Sequence, residues 1–488
     1  MFHTIDRRAI IKNLAAASLS TFSSGSFWGC SEPELLPSNL GLHSSSTPPI
    51  LGGSPDVPWW LRGNYAPVHS EVTQENLEVI GQLPPELNGT FLRAGSNPRD
   101  EEPLFWFFGD GMVHGITFSR GRATTYRSKW METPAMRGEE IGLMAGRANT
   151  NLIYHADKLF ALYEISPPFE LDPHTLESMG YHDFSGMLSS PMCAHPKIDP
   201  KTGEMWFIGV DVIPPRLSYA VVNSTGELLR SESMSLSAIK FTHDFQLTES
   251  FVIFYDLPLE INPAVLNGGE MFNWRPEHGA RIGLMPRSGS FADALWFEIE
   301  PCYTFHSFNA YEEGDEVILE ACRVIPGEGA DLFTSGSPPL PWQWRFNRKT
   351  LEVRETALSD LFIEFPMIDH RRQGQNHRYN YGLTIQPSTS DYPMHPTGIF
   401  KLDRDRGKTE RWTLDEALQL DEALFVPDAD STGEDEGWLL SVAYIHAEQR
   451  SEVLVFNAQS ISSGPIARVL LPTRVPFGFH GLWLPHQI

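Results

Sequence analysis

The sequence predicts an all-β chain. Short β-branched or aromatic runs recur along most of its length, turn clusters separate them, and long amphipathic helices are hard to find. In chain order the clearest runs are 204–210, 250–255, 316–320, 438–442 and 452–456, each of a length and apolarity that suit a buried strand. They are bounded by clusters such as Asp199-Pro-Lys-Thr-Gly203, Glu312-Glu-Gly-Asp315 and Asp403-Arg-Asp-Arg-Gly407, whose residue types favour tight turns. Gly (39) and Pro (38) are frequent enough to serve many such turns. One short helix is expected over 413–421. The hairpins share a plan of apolar strand, acidic or Gly turn and second strand, without an exact short repeat. About 430 residues of this kind can close into a radial propeller of six or seven blades or divide into two sandwiches, and periodicity alone does not choose.

Composition narrows the function. Hydrophobic residues at 41% and aromatics at 11% exclude a disordered chain, and 488 residues are enough to bury a sizeable core. Lys and Arg number 37 against 62 Asp and Glu, a net charge of −25 that argues against nucleic acid as a partner. No apolar run reaches the roughly 18 residues of a membrane span. Cysteine occurs only at 30, 193, 302 and 322, with no CxxC spacing, so neither a disulfide framework nor a thiolate metal site is indicated. A single pair remains open in an oxidising compartment.

The first thirty residues read separately. Arg7-Arg8-Ala-Ile-Ile-Lys12 followed by the mildly apolar 14–19 has the layout of a twin-arginine export signal, and Phe27-Trp-Gly-Cys30 resembles a lipobox at which Cys30 would become a lipidated N-terminus. Residues 31–58, rich in Ser, Pro and Gly, read as a tether, and 59–488 as the folded domain. These features predict an exported protein, periplasmic or otherwise extracytoplasmic, with peripheral membrane contact through Cys30 or during substrate uptake; without a working signal it would stay in the cytoplasm.

Four of the 17 histidines sit in dense local motifs beside aromatics or proline. They are His195 in Met192-Cys-Ala-His-Pro, His243 in Phe241-Thr-His-Asp-Phe245, His306 in Tyr303-Thr-Phe-His-Ser-Phe308 and His480 in Phe477-Gly-Phe-His-Gly481. Inner strands of a propeller would let them converge on its axis, although no HxH or HExxH supplies local metal geometry. His114, in a Gly-Asp-Gly turn motif, reads as structural. His155, His174, His182, His278, His370, His377, His395 and His446 are assigned no role. The acidic stretch from Asp428 to Glu436 reads as a solvated loop without EF-hand spacing.

These four motifs, together with Gly109-Asp-Gly-Met-Val-His114 and the segment from Asn273-Trp-Arg-Pro276 through Arg281-Ile-Gly-Leu-Met-Pro-Arg287, resemble the carotenoid cleavage oxygenases, in order, over about residues 60–488. The resemblance implies a seven-bladed β-propeller with a dome of loops and helices over a central iron site. It implies one Fe(2+) per chain on His195, His243, His306 and His480, and glutamates behind three of those ligands, matched here by Glu164, Glu364 and Glu422. The implied reaction adds dioxygen across a conjugated C=C bond of a carotenoid or apocarotenoid and splits it into two carbonyl fragments. Imidazole suits iron, and a carboxylate on the far ring nitrogen fixes the tautomer and raises ligand basicity. A long apolar polyene would be held by burial in an aromatic-lined tunnel, with Phe305 either a wall residue or packing beneath the iron.

The chain departs from the family pattern at Phe108, Ala94, Ser96 and Ala423, none of them a proposed ligand. Stilbene-cleaving relatives grip a phenol with a Tyr and a Lys. No such Lys follows Tyr126-Arg-Ser-Lys-Trp-Met-Glu-Thr133, which favours a carotenoid-type substrate. The alternatives are a lignostilbene-type dioxygenase, an isomerase, and an exported propeller that binds an apolar ligand without chemistry.

Overall fold

The strand Met205–Val212 shows why the chain closes as it does. Met205 and Phe207 pack with Phe160 and Leu162 on one side, while Trp206, Ile208 and Val210 pack with Val252 and Phe254 on the other. Both faces are buried, so the strand reads as a continuous apolar run. A sheet buried on both faces needs a neighbour on each side, and twisted sheets stacked around an axis supply one to every member.

The computed structural model describes residues 54–486 except 55, 101, 141–145, 268, 328–335, 387–394 and 416–417. The signal-like segment, Cys30 and nearly all of the tether fall outside the described residues. The remainder is a seven-bladed β-propeller. Blade 1 contains Gly89–Ser96, Gly111–Ser119 and Arg122–Trp130, with Thr73–Glu75 at one edge and the distant Gly481–Pro485 at the other. Blades 2 to 6 span 151–181, 197–235, 246–299, 303–357 and 363–413, four strands each. Blade 7 spans 418–470 and takes in Val79–Gly81 from near the start of the domain. The ring is therefore closed twice, by an early strand in the last blade and a late strand in the first. A two-stranded insertion from blade 4, Leu259–Ile261 with Phe272–Trp274, carries the Asn273-Trp-Arg-Pro276 motif.

Apolar layers between neighbouring blades form the core. Ile282 and Leu284 of blade 4 meet Leu319 and Trp344 of blade 5, and a larger layer joins blades 6, 7 and 1. Periodicity leaves six or seven blades or two sandwiches open, the family resemblance implies seven, and seven are present.

Three local expectations are corrected. No α-helix occurs among the described residues, the short helical turns all being 3-10, where a dome of loops and helices was expected. The segment 413–421 is not a helix: Thr413 ends a strand of blade 6, and Leu418–Leu420 pairs with 443–445 in blade 7. Leu420 is drawn fully into the layer between those blades, and this packing overrides helical spacing. The acidic stretch is stitched in, not merely solvated. Glu434 accepts the backbone N–H of Tyr379 (2.8 Å), Asp435 pairs with Lys401 (2.8 Å), and Arg371 donates to the carbonyls of Ser431 and Gly433. Cys193, Cys302 and Cys322 are buried free thiols.

Candidate metal centre

The four histidines come from the ring-centre edges of four different blades. His480 immediately precedes the closing strand of blade 1, and His195 and His243 precede the first strands of blades 3 and 4. His306 lies within the first strand of blade 5, Tyr303–Glu313, where the pairing slips between Thr304 and Ser307. That bulge puts Phe305 and His306 out of register with the partner strand and re-aims the imidazole. The carboxylates come from the three remaining blades: Glu164 follows a strand of blade 2, Glu364 lies in the first strand of blade 6, and Glu422 sits between two short strands of blade 7. Each blade thus contributes one member of the cluster.

One ligand nitrogen from each histidine can be chosen so that all four lie within 4.8 Å of one another. His195 Nε2 is 3.0 Å from His243 Nε2, which is 3.2 Å from His306 Nε2. The opposite ring nitrogens face the carboxylates. His306 Nδ1 is 2.7 Å from Glu364 and His480 Nδ1 2.9 Å from Glu422, both as hydrogen bonds. Glu164 lies 2.9 Å from His243 Nδ1, without the alignment of a hydrogen bond. Among the described residues His195 has no carboxylate partner.

This arrangement has a consequence for protons. A carboxylate at Nδ1 demands the N–H there, which leaves a lone pair on Nε2. With Glu164 2.9 Å from its Nδ1, His243 can take the same tautomer as His306, and their Nε2 lone pairs, 3.2 Å apart, would then repel unless a cation sits among them. Burial favours the neutral, ligand-competent form: it holds His195 well below the ordinary histidine value, helped by the other three imidazoles, and holds His480 at about 4 against the opposing pull of Glu422. Burial also opposes a proton on His306, but Glu364 outweighs it and leaves the value raised. The donor set, four imidazoles with carboxylates behind three of them, fits a divalent iron.

A cavity opens on the cluster. Its wall includes His243, His306 and His480, Glu164 and Glu364, and a set of aromatics comprising Trp106, Phe107, Phe241, Phe305, Phe365 and Phe479. Phe305 is half-buried and stands edge-on to His243 with ring centroids 5.5 Å apart, so it is a wall residue. Phe365 stacks on His306 (5.6 Å, 23°) from a backbone at φ 52°, a left-handed conformation rare for a bulky residue, directly after Glu364. Ile261 and Met271, in and beside the blade 4 insertion, complete part of the wall.

Other neighbours of the cluster are polar and were not anticipated from sequence. Asp244, next to His243, lies 2.7 Å from Lys197 Nζ and accepts from both the N–H and the hydroxyl of Ser307, next to His306. Arg93 and Asp421 form a buried pair beside Glu422. The available signal was an acid inside an apolar run, as in Phe241-Thr-His-Asp-Phe245 and Leu418-Gln-Leu-Asp-Glu-Ala-Leu424. His114, as expected, is structural: it is buried, 2.8 Å from the Tyr126 hydroxyl, and held at about 3 by burial and Arg93.

Comparison with known proteins adds to this geometry. The profile of the retinal pigment epithelial membrane protein family (RPE65) matches residues 65–485. A carotenoid cleavage oxygenase of Mycobacterium tuberculosis is 33% identical over 87% of this chain and 97% of its own. The carotenoid 9,10(9',10')-cleavage dioxygenase 1 of Arabidopsis thaliana is 33% identical over 88% and 90%, and the isoeugenol monooxygenase of Pseudomonas nitroreducens 30% identical over 87% and 98%. Among solved structures, the lignostilbene dioxygenase of Pseudomonas brassicacearum superposes with a TM-score of 0.80 at 27% identity, covering 88% of this chain and 99% of that one. A cobalt-substituted Synechocystis apocarotenoid oxygenase superposes with a TM-score of 0.78 at 27% identity, covering 88% and 98%.

Proposed function

This chain belongs to the carotenoid cleavage oxygenase family, and on that premise we propose that it is a non-haem iron(II) dioxygenase cleaving a conjugated C=C bond of a carotenoid or apocarotenoid. The observation that carries the proposal is the convergence of four histidine nitrogens, three of the histidines lining an aromatic cavity, with carboxylates behind three of the four.

His195, His243, His306 and His480 would hold the ion. When bound, iron(II) supplies a redox centre with positions open to dioxygen. The residues of the chain do the rest. Glu364 and Glu422 hold the protons of His306 and His480 at Nδ1, keeping Nε2 directed at the centre, and Glu164 stands against Nδ1 of His243; the three carboxylates would bring the ion with its surroundings to a formal charge of −1. Phe305, Phe365 and Phe479 exclude water and bind apolar carbon, each Å² of buried surface contributing about 25 cal/mol. The overall reaction balances without a reductant: one C=C bond and one dioxygen give two carbonyl groups.

A phenolic stilbene is the second reading, supported by the likeness to the lignostilbene dioxygenase and the isoeugenol monooxygenase. Incubation with apocarotenals and with stilbenes under labelled dioxygen tests both. The expected result is a shortened aldehyde from the apocarotenal, with label in both fragments. Turnover of stilbenes alone overturns the substrate class, an unlabelled product of unchanged mass indicates isomerisation, and binding without turnover leaves only a ligand-binding propeller. The proposal extends to export: replacing Arg7 and Arg8 with Lys should retain the protein in the cytoplasm, and Cys30→Ala should abolish labelling by a fatty acid if the lipobox is used.

A further inference from the structure

Among the described residues, only one of the three carboxylates behind the histidines has a cation behind it. No Lys or Arg pairs with Glu164 or Glu364, whereas Arg93 reaches Glu422. Arg93 is 1% exposed and lies in blade 1, 329 residues away in sequence. Its Nε donates to Asp421 at 3.0 Å and its Nη2 lies 3.0 Å from the other Asp421 oxygen. Its Nη1 is 3.4 Å from Glu422 Oε2 and donates to the carbonyl of Phe479 at 2.6 Å.

Every one of these contacts leads to the turn that carries His480. The N–H of Gly478 is 3.3 Å from both Asp421 oxygens, and that of Gly481 donates to Glu422 Oε2 at 2.7 Å. On the other side, Ala94 exchanges backbone hydrogen bonds of 3.0 Å with Phe479 and His480. Residue 478 has to be glycine for this fit, since a Cβ there would lie 2.6 Å from the carbonyl of Ala94. One guanidinium faces two adjacent buried carboxylates. The unit keeps one negative charge, which a cationic centre beyond His480 would balance.

We propose that Arg93, bridged to Asp421, is a positioning residue that fixes Glu422 and the 478–481 turn so that His480 meets the other three histidines. This rests on the reading of the cluster as a metal site. A planar fork with several donors suits the bridge, and a lysine ammonium could pair with one carboxylate but not span both and the carbonyl.

The test is titration of the metal-free full chain with cobalt(II), followed by visible absorption, for wild type, Arg93→Gln, Arg93→Lys and Asp421→Asn, each also in a His480→Ala background. Arg93→Gln should weaken cobalt binding by about 10- to 100-fold and shift its absorption bands, the usual size of an effect exerted through a ligand's partner. Arg93→Lys should recover part of the loss. Asp421→Asn, which retains Arg93 and serves if Arg93→Gln does not fold, should lose about tenfold. In the His480→Ala background none of the three should weaken binding further. Unchanged affinity in Arg93→Gln or Asp421→Asn, or an equal loss with and without His480, overturns the proposal and leaves Arg93 a packing residue. Wild-type protein that takes up no cobalt overturns the metal reading itself.

Discussion

The histidine cluster is bordered by two regions made of opposite materials. The cavity wall is aromatic: Phe241, Phe305 and Phe365 touch the cluster through ring faces and edges. The other border is a chain of polar side chains. Lys197 pairs with Asp244, which accepts from Ser307, which accepts from Gln246, which accepts from Gln373. Gln373 reaches Asn309, which donates to His377, and His377 in turn meets Asn380 and the fully buried Glu320. Both borders use residues adjacent to the ligands: Asp244 follows His243, and Phe305 and Ser307 flank His306, where the bulge between Thr304 and Ser307 breaks the alternation of the strand. The difference separates two tasks. Apolar contacts are non-directional and suit a substrate that must enter and leave, whereas a satisfied buried network fixes one geometry and tolerates little change.

The comparison can be broken or sharpened by experiment. The largest effect is expected where the regions meet: His306→Ala should lose iron by at least ~100-fold, measured as metal content, together with turnover. Full iron and full activity in that variant would end the ligand assignment. Next is the polar side. Asp244→Ala leaves the half-buried Lys197 without its partner and Ser307 without its acceptor, and should cost about 3 kcal/mol in urea unfolding; a cost under about 1 kcal/mol would show that the network is not rigidly held. Glu364→Gln keeps an acceptor but removes a charge. It should lower metal affinity by about 10- to 100-fold while unfolding near the wild-type midpoint.

A smaller effect separates the regions by pH. Burial lowers His377 to about 4, against the opposing pull of Glu320. Its folded value lies below that of the unfolded chain, so its contribution is complete above about pH 6.5 and is lost as pH falls toward 4. Between pH 7 and pH 5 this amounts to about 2 kcal/mol. His377→Gln should flatten the acid side of the stability profile by that amount, and an unchanged slope would remove His377 from the account. Smallest is the cavity wall: Phe305→Leu should raise KM about fivefold through ~1 kcal/mol of lost aromatic contact, with metal content unaffected.

Legibility in the sequence followed the range of the interactions. The strands could be read because both-face burial leaves an apolar run, and the histidines because each carries a local motif. Blade number could not be read from periodicity, since it depends on how seven similar sheets pack, and came through family resemblance. The segment 413–421 misleads because Leu420 is claimed by a strand more than twenty residues onward. The acidic loop misleads because Glu434 finds its donors 55 and 56 residues back in the chain. Arg93 and Asp421 lie 328 residues apart, and nothing in either neighbourhood names the other. The carboxylates behind the histidines came through family resemblance, and their even distribution over blades 2, 6 and 7 is a property of the folded ring.

The double closure of the propeller also imposes an order of assembly. His480 lies one residue before the strand that seals blade 1, so the fourth imidazole arrives only with the last stretch of the domain. Six blades can be laid down during synthesis, but until residue 485 has emerged the centre holds three histidines and a gap. Ring closure and completion of the ligand set are a single event, and a chain clipped before His480 lacks both together.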